Sequence, residues 1–153
     1  MPVEVLLARE GSVASVIERL VGAAQNSLDA ALYRLNNPRL VELLKASRER
    51  GTRVRLVLDR NKFEETASTR RLLAGSGLPF RLAWGRQGQG SKMHHKFVIL
   101  DAHTVLTGSY NWTLESEDQN YENLVVLREP SLVEPYRREF ETLWAEATEG
   151  PSG

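Results

Sequence analysis

The sequence predicts a single α/β domain built on a mixed, mostly parallel β-sheet flanked by helices on both faces. Three observations carry that expectation. In the first half, short apolar β-prone runs alternate with amphipathic stretches at helical spacing. This is the pattern of βαβ units, whose crossovers cover both faces of a parallel sheet. Further on, Phe97-Val98-Ile99-Leu100 is followed by the turn-like Asp101-Ala102-His103 and a second apolar run, a hairpin that makes the sheet mixed. Finally, 153 residues with a 41% apolar fraction suit one domain with a real core, and no stretch is linker-like enough to divide it.

The elements follow in order. Val3 to Leu7 reads as a first strand, and Ser12 caps a helix whose stripe is Val13, Val16, Ile17, Leu20, Val21 and Ala24. Leu28 to Leu32 is a short strand carrying Asp29. Asn37 caps a second helix with Pro38 at its first position, and Gly51 stops it. Val54 to Leu58 is a strand, Arg60 to Thr66 a polar loop, and Ser68 to Ala74 a short helix broken by Gly75-Ser76-Gly77. Phe80 to Trp84 is a strand, and Gly85 to Lys92 a flexible loop leading into the central strand. Thr104 to Thr107 is the hairpin partner, Asn123 to Leu127 one more strand, and Pro130 to Ala147 the closing helix. The domain is expected over residues 1–148, with 149–153 as a flexible tail.

Composition removes several function classes. There is no cysteine, which excludes disulfides, thiolate zinc sites and cysteine nucleophiles. Lys+Arg and Asp+Glu are 20 each, so net charge does not announce a nucleic-acid binder, although a local basic groove is compatible with neutrality. No integral membrane segment is expected, since no run approaches the roughly 18 apolar residues of a span. Met1-Pro2-Val3-Glu4-Val5 lacks the basic and apolar regions of a signal peptide, and localisation stays open.

The chemistry concentrates in Met93 to Asp101 and in Gly108-Ser109-Tyr110-Asn111. Strand alternation puts His94 and Lys96 on one face with Val98 and Leu100, and His95 on the other with Phe97, Ile99 and Asp101. An imidazole beside an ammonium suits a phosphate: the ammonium holds its oxygens and the imidazole attacks phosphorus or moves a proton. Ser109 and Asn111 are hydrogen-bond donors for the same oxygens. Asp101 lies on the wrong face and at the strand end, so its expected role, like that of Gly108, is structural. His95 and His103 make no convincing metal spacing with carboxylates, so no cofactor and no metal are expected. Arg34, Arg60, Lys62, Arg70, Arg71, Arg86 and Lys92, with Trp84 among them, suit single-stranded nucleic acid.

His94-x-Lys96, then Asp101, then Gly108-Ser109-x-Asn111, resembles the HKD signature of the phospholipase D superfamily. The wider pattern resembles its small members with one motif per chain, the bacterial nucleases and the mitochondrial phospholipase D (Zucchini-type) endonucleases. Gly51 to Asp59, Asn120-Tyr121-Glu122-Asn123 and Phe140 to Trp144 extend the resemblance over most of the chain. The cysteine/histidine zinc element of some Zucchini-type members is absent. The resemblance implies a phospholipase D/nuclease-like fold, with His94 as nucleophile, Lys96 and Asn111 as transition-state ligands, and Glu122 orienting the imidazole. It also implies a homodimer in which His94 of each subunit meets at one shared site. The expected function is a metal-independent nuclease acting on DNA or RNA through a phosphohistidine. The alternatives are a hydrolase of lipid phosphodiesters and a non-catalytic nucleic-acid-binding dimer.

Overall fold

The computed structural model describes residues 3–151; Met1-Pro2 and the last two residues of the expected tail, Ser152-Gly153, lie outside the described residues. The chain runs β1 (Val3–Leu7), a 3-10 turn (Ala8–Glu10), α1 (Val13–Ala23), β2 (Ser27–Leu32), α2 (Pro38–Glu49), β3 (Arg53–Asp59), α3 (Arg60–Glu65) and α4 (Ala67–Leu73). It continues with β4 (Phe80–Gly85), β5 (Gly88–Lys92), β6 (Lys96–Leu100), β7 (Thr104–Gly108), α5 (Leu114–Asp118), β8 (Asn123–Leu127), α6 (Pro130–Glu146) and β9 (Thr148–Glu149). The expected caps are in place: the Ser12 side chain accepts from Ser15 N, and the Asn37 side chain from Arg39 N with Pro38 following it.

The strands form one sheet in the order β1-β8-β7-β6-β2-β3-β4-β5, with β9 added to β4. It is mixed and flanked by helices on both faces, as the sequence predicts. The proportion of parallel pairing is corrected: only β2–β3 and β3–β4 are parallel, and the remaining pairs are antiparallel. The βαβ crossovers stop at β4, and beyond it strands joined by turns or short connections fold back on their neighbours.

Alternation along the central strands builds two cores. Leu28, Ala30, Leu32, Leu56, Leu58, Val98 and Leu100 face α1 and α2, burying Ile17, Val21, Leu40 and Leu44. Ala31, Val57, Phe97 and Ile99 face α6, burying Val133 and Phe140. An ion-pair network also fastens α6: Arg55 bridges Asp29 of β2 and Glu141 of α6, with its guanidinium over the Phe140 and Trp144 rings.

Three local expectations change. Arg60 to Thr66 is mostly helix, because Asp59 is not merely a strand end: its carboxylate accepts from Lys62 N as an N-cap, and Phe63 turns into the core. Gly85 to Lys92 is not a free loop but the turn and second strand of a hairpin with β4. The expected tail starts docked, since Thr148 and Glu149 pair with Leu82 and Arg81, and Gly150 N donates to the Phe80 carbonyl.

Candidate active site

The His94 segment is held by hydrogen bonds from both sides as it enters β6. Asp59, fully buried, accepts from Met93 N with one oxygen (2.9 Å) and from Lys62 N with the other (2.9 Å). On the other side, Tyr33 N donates to the His95 carbonyl (2.8 Å), extending the β2–β6 ladder one step past Lys96. His94 and His95 therefore keep strand-like alternation although the regular strand starts at Lys96. His95 accordingly turns to the α6 side, where its ring meets Phe97 edge-on and its Nε2 lies 3.0 Å from Glu139.

His94 and Lys96 meet on the other face. Lys96 Nζ lies 3.2 Å from His94 Nδ1 and donates to the His94 carbonyl at 3.0 Å. Tyr33 packs on the imidazole, with ring centroids 4.4 Å apart, and its ring also lies 5.5 Å from Lys96 Nζ and 5.9 Å from Lys62 Nζ. Partial burial of the ring, with the charges of Lys96 and Lys92 beside it, pushes the His94 pKa below the ordinary imidazole value. Burial likewise lowers the Lys96 pKa, while the Glu122 carboxylate opposes that shift. That electrostatic link joins the strand to the second half of the site.

The second half is built by the β7–β8 region. Gly108 is needed for a close approach: a Cβ there would stand 2.3 Å from the Asn123 carbonyl oxygen. The following four residues alternate. Tyr110 and Trp112 are buried in the core, leaving Ser109 and Asn111 on the opposite side. Ser109 Oγ donates to Glu122 Oε1 and accepts from Asn123 N at 3.0 Å. Glu122 Oε2 accepts from Ser116 Oγ (2.9 Å) and Asn120 Nδ2 (3.1 Å), and Asn111 N donates to Ser116 Oγ (3.2 Å). The side-chain oxygen of Asn111 is buried without a donor. Among the described residues of the single chain, the Glu122 carboxylate bonds Ser109, Ser116 and Asn120, and the expected bond from the imidazole is not made within the chain.

Asp101 stands apart. At ~3.3 Å per residue it lies about 17 Å along β6 from Lys96. There it accepts from the backbone amides of Gln25, Asn26 and Ser27, tying the β6–β7 turn to the start of β2. Burial alone would raise its pKa, but those amides hold the carboxyl below the usual carboxylate range. His103 is a turn residue whose Nδ1 lies 2.8 Å from Thr104 Oγ1.

Sequence reasoning overlooked Tyr33 and Asp59. Tyr33 carries no signal short of the fold, since only the β2–β6 pairing brings it to His94. Asp59 was visible as a polar residue ending an apolar run, which is also the place of a helix cap. Beside His94 a groove of about 730 Å³ runs past Lys92 and Trp84 to Arg60, with Glu139 and Leu143 of α6 along it.

A family model described as "Cardiolipin synthase, PLD-like domain" matches residues 17–144. Mitochondrial cardiolipin hydrolase of Danio rerio is 32% identical over 133 residues, which are 87% of this chain and 57% of that protein. The Homo sapiens protein of the same name is 33% identical over 133 residues, 87% of this chain and 51% of that protein. The chain thus spans a little over half the length of these relatives. Among solved structures, Nuc from Salmonella typhimurium, described as a phospholipase D family member, superposes with a TM-score of 0.87 at 29% identity, covering 98% of both chains. NucT from Helicobacter pylori superposes with a TM-score of 0.84 at 18% identity, covering 97% of this chain and 99% of that one, a likeness of fold.

Proposed function

The chain belongs to the phospholipase D superfamily, and from that premise we propose that it is a metal-independent phosphodiesterase, acting as a nuclease through a phosphohistidine at a site shared by two subunits. The observation that carries the reading is the pairing of His94 with Lys96, 3.2 Å apart, where burial and the neighbouring lysine charges lower the imidazole pKa. In the first step a nitrogen of His94 forms a bond to phosphorus as the bond to the leaving ester oxygen breaks. Lys96, Ser109 and Asn111 stabilise the charge on the nonbridging oxygens. The partner subunit's His94, as its protonated imidazolium, gives a proton to the leaving oxygen and becomes neutral. It then takes a proton from the water that attacks phosphorus, and the N–P bond breaks.

Two features of the single chain support a shared site. It supplies one imidazole where the reaction needs an attacker and an acid. For Nε2 to attack, Nδ1 must carry a proton and find an acceptor, yet Nδ1 faces the Lys96 ammonium and Glu122 is engaged elsewhere. Tyr33 packs the ring in place, but among the described residues no carboxylate of the same chain accepts from Nδ1, as expected of half a site.

Cleavage of DNA and RNA strands in excess chelator tests the reaction. Turnover should persist in chelator and vanish in His94→Ala, with phosphate trapped on histidine in the wild type. Activity lost in chelator and recovered with magnesium contradicts the metal-free step, and activity surviving in His94→Ala removes His94 as nucleophile. A second reading, hydrolysis of a lipid phosphodiester, is favoured by the name of the curated relatives, "Mitochondrial cardiolipin hydrolase". Turnover of cardiolipin vesicles without cleavage of any strand would select it.

A further inference from the structure

We propose that Trp84 and Arg60 form a nucleobase-stacking subsite in the groove beside His94, taking an unpaired base that flanks the scissile phosphate. The inference rests on the nuclease reading and names where the strand lies. Trp84 is 43% exposed although it belongs to a strand of the central sheet. Its exposure has a local cause: the β4–β5 register shifts between Trp84 and Gly85, and an irregularity of this kind re-aims a side chain out of the sheet. Gly85 permits it, since a Cβ there would stand 2.5 Å from the Lys92 carbonyl oxygen. Trp84 pairs in register with Lys92, two residues before His94, so indole and imidazole border the same groove.

Arg60 backs the indole. Its guanidinium carbon lies 5.2 Å from the ring centroid, and it is held in place by the hydroxyl of Thr148 and by Glu64 at 3.9 Å. A cation fixed beside one part of the ring leaves the exposed part for a second flat partner. Charge along the groove sets the direction of the strand. Lys92 and Arg86 lie on the β4–β5 side, and Glu139 and Glu146 on the α6 side. Phosphates are attracted to the first wall and repelled from the second, so the backbone follows the basic hairpin, and the exposed indole of Trp84 on that hairpin stands beside it to take a base. An anionic lipid surface would meet the same two carboxylates. A base inside a duplex has both faces covered, so the subsite selects unpaired bases.

The test uses a single-stranded oligonucleotide cut by the wild type at one position, together with versions abasic at either flanking nucleotide. Base–aromatic stacking predicts that Trp84→Ala lowers kcat/KM on the full strand by about ten-fold or more, and that Trp84→Phe restores most of it. An abasic residue at one of the flanking positions should cost the wild type a similar factor, and Trp84→Ala should add no further loss on that substrate. Equal loss on full and abasic strands, or no loss on either, overturns the subsite while leaving the nuclease reading intact. Hydrolysis of cardiolipin vesicles with no strand cleaved overturns both.

Discussion

In the proposed reaction the nitrogen of His94 that attacks phosphorus is unprotonated, so the groups around the imidazole set the acid limit. Burial and the charges of Lys96 and Lys92 lower the pKa, with Asp59 acting weakly against them. A lowered pKa keeps the neutral form populated further into acid. The acid limb of kcat/KM is therefore expected below the ordinary imidazole value. Lys92→Ala removes a positive charge that disfavours imidazolium, so the limb should move to higher pH. A limb that stays put or moves to lower pH would rule out this electrostatic account. Tyr33 acts on the same ring by contact: Tyr33→Ala frees the imidazole to rotate and should lower kcat by roughly ten- to a hundred-fold, the usual scale of a misplaced catalytic group. Tyr33→Phe keeps the packing surface and should retain most of the rate. Steady-state kinetics of the pair would separate positioning from the phenolic hydroxyl, because a loss shared by both variants would assign the effect to the hydroxyl.

At the scale of elements, β6 carries chemistry at its start and an anchor at its end. Asp101 and Ala102 both have left-handed backbone, with φ of 53° and 61°, and the Asp101 carboxylate holds the turn through the amides of Gln25, Asn26 and Ser27. Asp101→Ala loses those charge-assisted bonds and leaves alanine in a conformation it disfavours. Chemical denaturation should show a loss of about 2–4 kcal/mol. Asp101→Asn, which keeps one acceptor and tolerates the turn, should lose less. Because the folded pKa of Asp101 is depressed, its contribution is complete above the unfolded value and disappears as pH falls through the folded one. The gap between wild type and Asp101→Ala should therefore narrow on acidification through that window. This turn also marks what the sequence could tell. The alternation from His94 to Asp101 was legible because period two is local, and Ser12 and Asn37-Pro38 were legible because caps are made by adjacent residues. The helix α3 was not, since its single core residue, Phe63, gives no periodicity. Nor was β5, whose Gly-Gln-Gly-Ser-Lys composition lacks strand propensity and depends on pairing with β4. The ring of donors around Glu122 escaped as well, because it is assembled from α5, the loop after it and the loop after Gly108, with no spacing rule to announce it.

At the scale of the whole molecule, one chain presents one His94–Lys96 pair and one Ser109–Glu122 cluster, with exposed Leu114 and Tyr121 on the segments that supply Ser116 and Glu122. A two-fold contact through these segments would cover the same residues on both copies at once. In the proposed shared site such a contact would also bring two imidazoles to one phosphate, which separates it from any arrangement of independent sites. Wild-type and His94→Ala chains, unfolded together in equal amounts and refolded, test the difference. If both imidazoles serve one phosphate, mixed dimers carry a single histidine and fail. Random pairing then leaves roughly a quarter of the wild-type activity per dimer. Independent sites would leave about half, because every wild-type chain would work whatever its partner. Sedimentation of the same mixtures should show a dimer, and monomers with full activity would contradict the shared site directly. A Tyr121→Arg variant places like charges on both copies at that contact, and it should weaken the dimer and the activity in parallel. Activity falling while the dimer persists would move Tyr121 from the interface to the substrate path.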